Sequence, residues 1–374
     1  MNKKTKIILG IVVLVAVVLI VVLYKPAEKG TIKIGFSAPL TGDASAWGLP
    51  VKRGAEIALD RINSKGGING HKLELIFEDD KCDSKEGVNV ANKLINIDKV
   101  PAIIGTLCSS PTLAVAPIAE QNKVLLLSSG ASAPAIKDAG DYVFSIYPLD
   151  NYEVGLAAEF AYDKLNKRNA AILYANNDYG KGAKDVLEEK FIEKGGKINI
   201  IGAYLMGAKD FRTQLLKIKN SGVDVLFIWG QPNEMVPILT QKDELGLNVQ
   251  IITSSVTIET DSFKKANVAL ANGVIYTSYE TTSNANSEYL NKEYYERYQK
   301  DDSFFPAVGY DVVLLIADAL KNVGTDATKM KNFLYSVKDF PGASGNMSFD
   351  KNGTIVKGFV LKTVRNGQFV PYEQ

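Results

Sequence analysis

The chain has a single histidine, His71, so neither a histidine-based catalytic triad nor a multi-histidine metal centre can be assembled from it. His71 lies in a turn-like NGHK stretch (69–72) and reads as an exposed loop residue. No G-x-x-x-x-G-K-[ST], G-x-S-x-G or H-E-x-x-H motif occurs, and the GKG of 180–182 is too short a match for a nucleotide loop. These absences argue against an enzyme and call for no cofactor and no metal. Two other segments carry usable chemistry: GTLCSSP (105–111) and LSSGASAP (127–134), each setting small hydroxyl residues where a helix begins. A helix N-terminus offers free N–H groups and the positive end of its dipole, which favours an anion. Ser109 and Ser132 add hydroxyl donors, and Gly130 lets a ligand approach the backbone. The same serines would also serve as ordinary helix caps.

Such turns need a scaffold. Apolar, β-rich stretches at 33–36, 73–77, 102–105, 124–127, 170–174, 223–229 and 274–277 alternate with helical patterns over most of the chain. Most are too apolar to face water on either side, as in parallel sheets covered by helices. Between them lie amphipathic helices; in one, Val51, Ala55, Ala58, Leu59 and Ile62 recur at helical spacing before Gly66 and Gly67 end it. Both serine turns then fall at strand C-terminal ends, the edge where open α/β sheets bind ligands. One series runs to about Pro148 and a second begins near Asn151, which predicts two lobes joined by a short hinge.

The chain has 43 basic and 42 acidic residues, a net charge of +1, and no Lys/Arg cluster beyond the N-terminus, so no nucleic-acid partner is indicated. Residues 1–6 carry Lys3, Lys4 and Lys6 and are expected to stay in the cytoplasm; the apolar run of 7–24 is long enough to span a bilayer, and 25–30 form a linker. The lobes are therefore expected outside, extracellular or periplasmic. A cleavable signal peptide is the rival reading; no small-x-small cleavage pattern and no lipid-bearing cysteine follows the run, which favours a retained membrane anchor. Cys82 and Cys108 then sit where disulfides persist, either bridged or as two buried thiols. NMS (346–348) and NGT (352–354) match glycosylation acceptors, which are common by chance. Tyr289, Tyr294, Tyr295 and Tyr298 fall on a charged, helix-like stretch and read as a half-buried packing face.

From Lys33 onward the chain resembles the type I periplasmic binding proteins of the leucine/isoleucine/valine ABC-transporter family. The resemblance is carried by GFSAPLTGDASAWG (35–48), AEIALDRINSKGGINGHKLELIFEDDKCD (55–83), IIGTLCSSPT (103–112) and NNDYGKG (176–182). It implies two doubly wound α/β lobes joined by three hinge crossovers, lobe I being 31–148 with 278–345 and lobe II 149–277 with 346–374. It also implies a Cys82–Cys108 disulfide, closure around a small ligand, and delivery to an ABC permease. By position, Ser109, Gly130 and Ser132 match the binders of a ligand α-carboxylate. Trp47 matches an aromatic wall, Tyr179 an aromatic of the second lobe, and Phe305 one flanking the side-chain pocket.

Two positions depart from the family pattern. Gln231 stands where branched-chain amino-acid binders carry Tyr, which makes the pocket more polar there. Ser255 stands where they carry the Glu that pairs with the ligand ammonium. A serine supplies no charge, so either another acid such as Glu259, Glu280 or Asp178 replaces it, or the ligand has no amino group. The same bilobed unit also serves as a sensor ectodomain; with only residues 1–6 inside, that role would need a separate signalling partner.

Overall fold

The computed structural model describes residues 29–260, 263–264, 268–280, 283–300 and 304–373. The expected anchor at 7–24 lies outside them; among the described residues no helix is long and apolar enough to cross a membrane.

The first sheet contains β1 (Lys29–Ala38), β2 (His71–Asp79), β3 (Ala102–Ile104), β4 (Leu125–Ser128) and β5 (Val143–Ser145), in the order β2-β1-β3-β4-β5. Every neighbouring pair is parallel. Both β3 and β4 are buried along their whole length, which is why they read as continuous apolar runs. Helices α1 (Ser45–Ser64), α2 (Ser84–Asn96) and α3 (Ser109–Asn122) connect them. As expected, α1 ends just before Gly66 and Gly67, both at positive φ, where the Gly67 N–H reaches back to Ile62 O.

The second sheet repeats this plan. Its parallel strands β6 (Asn169–Ala175), β7 (Lys197–Tyr204), β8 (Val225–Trp229), β9 (Gln250–Ser254) and β10 (Ile275–Tyr279) run in the order β7-β6-β8-β9-β10, so each sheet has the strand order 2-1-3-4-5. Helices α4 (Asp150–Asp163), α5 (Asp178–Glu193), α6 (Arg212–Lys219), α7 (Pro232–Glu244) and the short α8 (Ser255–Ile258) accompany it.

The chain then returns to the first lobe with α9 (Ala285–Tyr298), α10 (Phe304–Val323) and α11 (Ala327–Ser336). Helix α10 crosses α1 with backbones in close approach: a Cβ on Gly54 would lie 1.9 Å from Pro306 O, and one on Gly309 would lie 1.9 Å from Val51 O. The tyrosine face of α9 is half-buried as expected, with Tyr294 in the core, Tyr295 outside, and arginines 53 and 61 over the rings of Tyr298 and Tyr289.

A small antiparallel pair, β11 (Phe340–Gly342) and β12 (Gly345–Met347), follows. The chain ends on β13 (Phe359–Arg365) and β14 (Gln368–Pro371), which extend the second sheet antiparallel beside β10. Three segments thus pass between the lobes: one from β5 to α4, one from β10 to α9, and one before β13. The third passes later than the expected 345/346 boundary. Met347, Phe349 and Ile355 belong to the first-lobe core, and the Ser145 N–H bonds Gly353 O. The second passes slightly later too, since Ser278 and Tyr279 still pair within the second sheet. Burial of those apolar side chains sets the third position, and strand pairing sets the second.

Candidate ligand-binding cleft

In a sheet of order 2-1-3-4-5 the connections leave in opposite directions on either side of the first strand, opening a crevice at the strand C-terminal ends. Both lobes turn that crevice toward each other. The turns after β1, β3 and β4 bring Trp47, Ser109, Gly130 and Ser132 to one side; those after β6, β8 and β9 bring Tyr179, Gln231 and Val256 to the other. Phe305 and Val308 at the start of α10 and Tyr147 from the first crossover complete a cavity with about 580 Å³ of free space, including its mouth.

The lobes meet around this space. The Trp47 indole N–H donates to Val256 O at 2.9 Å, the Asp178 N–H donates to Ser110 Oγ at 3.1 Å, and Asn233 Nδ2 donates to Asp43 O at 2.9 Å. Trp47 is stacked near Phe305, with ring centroids 6.4 Å apart. The expected aromatic wall is therefore also a bond across the cleft.

On the first-lobe side the donors are arranged in series. Ser109 is the first residue of α3, whose N-cap, Cys108, gives no side-chain cap. Ser109 Oγ accepts from the N–H groups of Ser132 and Ala133 at 3.2 and 3.1 Å, which leaves its own proton for a ligand. Ser128 Oγ accepts from the Gly130 and Ala131 N–H groups in the same way. The backbone donors expected to be free at Gly130 and Ser132 are thus engaged; of the two hydroxyls that hold them, Ser109 lines the cavity, while Ser128 lies behind it and donates to Thr106 O. At Gly130 the close neighbour is Leu107 Cδ1, 2.4 Å from where a Cβ would be. Cys82 and Cys108 form a disulfide that ties the turn after β2 to the N-terminus of α3, and both line the cavity.

Seven of the eight expected binding positions, all but Ser255, line one cavity. Ser255 opens α8, with its carbonyl accepting from the Glu259 N–H at 2.7 Å, and its neighbour Val256 faces the cavity instead. None of the three alternative acids lines the cavity. Glu259 is paired with Lys362 at 3.2 Å and accepts from the Tyr276 hydroxyl, while Glu280 and Asp178 are exposed. Gln231 is buried, its amide donating to Met206 Sδ and its Oε1 without a partner. His71 begins β2 outside the cavity, with Nδ1 2.7 Å from Gly30 O.

Among the described residues, no Lys, Arg, Asp or Glu lines this cavity. Two acids from α4 nevertheless lie just behind its wall. The Tyr147 hydroxyl donates to Glu153 Oε2 at 3.3 Å, and the Thr277 hydroxyl donates to Oε1 at 2.6 Å. Burial pushes the Glu153 carboxyl up to about 7 against hydrogen bonds from Thr277, Ser254 and Tyr147. Burial, and then the charge of Glu153, hold Asp150 well above the carboxylate range, with the Ser132 hydroxyl opposing. Sequence reasoning passed over both acids because acidic residues in a first helical turn are commonplace. It also passed over Tyr147, which follows a strand only three residues long.

Two packed α/β lobes of like topology, crossed three times and closed on a small cavity, define a bilobed ligand receptor. The chain belongs to the periplasmic binding protein family, whose model matches residues 31–368, in the type I group of the leucine/isoleucine/valine-binding proteins. It is similar to the leucine-, isoleucine-, valine-, threonine-, and alanine-binding protein of Pseudomonas aeruginosa, with 28% identity over 345 residues, 92% of this chain and 90% of the relative. Among solved structures, the leucine binding protein LivK of Thermotoga maritima superposes with a TM-score of 0.85 at 28% identity, over 92% of this chain and 98% of that one. The LivJ substrate-binding protein of Streptococcus pneumoniae, solved with isoleucine, gives 0.81 at 28% identity, over 91% and 97%.

Proposed function

We propose that this chain is the extracytoplasmic solute receptor of an ABC importer, binding a branched-chain amino acid or a related small carboxylate between its lobes and delivering it to a membrane permease. The observation that carries this reading is the cavity at the two facing sheet edges, with the Ser109 hydroxyl at the N-terminus of α3, Ser132 beside it in the turn after β4, and aromatic side chains opposite. Hydroxyls backed by a helix dipole suit a carboxylate, and the rings of Trp47, Tyr179 and Phe305 suit an apolar side chain. The names of the relatives, which bind branched-chain amino acids, support the same ligand class. It is a binding protein that performs no turnover. The bonds from Trp47 and Asp178 across the cleft are contacts of the closed state, which a ligand touching both lobes favours by differential affinity. Its apolar segment at 7–24 anchors it to the membrane with the lobes outside.

A thermal-shift titration of the full chain in detergent against amino acids and their deaminated analogues tests this. A true ligand raises the melting point in a dose-dependent way, with the logarithm of its excess over Kd. Replacing Ser109 and Ser132 together by Ala is expected to weaken binding by about 1 to 3 kcal/mol, the usual cost of lost hydrogen bonds to a charged group. An unchanged titration would remove both residues from the site.

A further inference from the structure

Asp150 and Glu153 have no task in carboxylate binding. Both side chains are fully buried, and among the described residues no group, the facing Ser132 hydroxyl included, sits in full hydrogen-bond geometry with either oxygen of Asp150. A buried carboxylate must either keep its proton or receive a cation, because desolvation of the bare ion is prohibitive. Among the described residues, no lysine or arginine acts on either group; the Asp150 carboxyl is governed by burial, by Glu153 and by the Ser132 hydroxyl, and the Glu153 carboxyl by burial and by hydroxyls.

The pair nevertheless abuts the cavity wall. Ser132, Tyr147 and Tyr179 line the cavity, and each also faces an acid: Ser132 faces Asp150, Tyr147 bonds Glu153, and Tyr179 feels both charges. The Tyr179 hydroxyl is itself buried, near Ser254 but, among the described residues, with no partner in full hydrogen-bond geometry. From β10, Tyr279 faces the pair, and its ring lies 4.8 Å from that of Tyr147. Lys357 stands 5.7 Å from the centroid of the Tyr279 ring and donates to Ser344. Ser132 belongs to both halves of the site. Its N–H bonds the proposed carboxylate-binding Ser109 and its hydroxyl faces Asp150, so a place for an anion adjoins a place for a cation.

We infer that Asp150 and Glu153 supply the counter-charge for a ligand ammonium, acting as positioning residues through the hydroxyls of Ser132, Tyr147 and Tyr179, so that the cleft selects α-amino acids over amine-free carboxylates. This rests on the carboxylate-binding reading and refines its ligand class. It also accounts for the serine at 255: the negative charge has moved from the turn after β9 to the first turn of α4.

The test is calorimetric titration of the full chain in detergent with leucine and with 4-methylpentanoate, its skeleton without the amine. At about pH 8, leucine is expected to bind about 10- to 100-fold more tightly. Both ligands keep their charges between about pH 6 and 8, while Glu153 ionises in that window, so leucine affinity rises with pH and that of the analogue stays level or falls. In Asp150→Asn and Glu153→Gln, leucine affinity drops toward that of the analogue, which is itself unchanged or tighter. Equal affinities for the two ligands in the unaltered protein overturn the inference and leave the carboxylate reading standing. Equal losses for both ligands in the variants would mark the acids as structural and overturn it as well. If neither ligand binds the unaltered protein, the inference falls together with the ligand class on which it rests. Should the variants fail to fold, the pH series on the unaltered chain decides.

Discussion

The two walls of the cleft descend from the same strand order yet are finished differently. On the first-lobe wall, the Ser109 oxygen is satisfied by neighbouring N–H groups with its proton left over, the Ser128 hydroxyl is fully engaged, and a disulfide fixes the turn that carries Ser109. On the opposite wall and the adjoining hinge, the polar atoms are large, buried and in several cases without partners: Asp150 Oδ1 and Oδ2, Tyr179 OH, Gln231 Oε1 and Tyr279 OH. The first wall is preorganised, so its donors cost little further ordering when a ligand arrives. The second stores unsatisfied groups, which makes the ligand-free state less stable and the choice of ligand more exacting.

Three perturbations separate the walls. The largest effect is expected from Cys82→Ala with Cys108→Ala, which should lower stability by about 3 kcal/mol through release of a loop of this length. Loss confined to the first-lobe transition in calorimetry sharpens the contrast; equal loss in both lobes breaks it. Next, Glu153 has a folded value of about 7, above its unfolded 4.5, so the fold favours its protonated form. Stability of the ligand-free protein should therefore be highest below about pH 4.5 and fall until about pH 7 as far as this group is concerned. Glu153→Gln should remove that slope and raise stability at about pH 8 by about 1 to 3 kcal/mol, read from urea midpoints at several pH values. A steeper slope in the variant would contradict the idea of a strained second wall. The smallest effect belongs to Trp47→Phe, which keeps an aromatic wall but loses the indole N–H to Val256 O. Closure should weaken by about 1 kcal/mol, seen as a larger radius of gyration in X-ray scattering without ligand and a modest rise in Kd.

The same contrast explains what could be read in the sequence. Ser109, Gly130 and Ser132 were legible because strand, turn and helix start are local, and their small hydroxyls advertise the turn. Most of the seven apolar stretches are continuous because buried parallel strands need no alternation, whereas the edge strand β2 alternates between buried and exposed residues. By contrast, Asp150 and Glu153 read as ordinary acids in the first turn of a helix. Only the folding of β10 and α5 over them takes their water away, and no local pattern encodes that. Ser255 followed the family register, but a four-residue helix turns its neighbour Val256 into the cavity. The third crossover falls later than expected because Met347, Phe349 and Ile355 join the first-lobe core, Phe349 packing edge-on against Phe144.

The paired glycines Gly54 and Gly309, which let α1 and α10 touch backbone to backbone, join segments separated by the entire second lobe. The nascent first lobe thus has its sheet early and its covering helix late, while the intervening lobe is spelled out between them. Contacts of such sequence separation slow folding and leave apolar surface open in the interval. A bulky side chain at either glycine would accordingly both force the two helices apart in the finished fold and lengthen the interval in which the nascent lobe can aggregate.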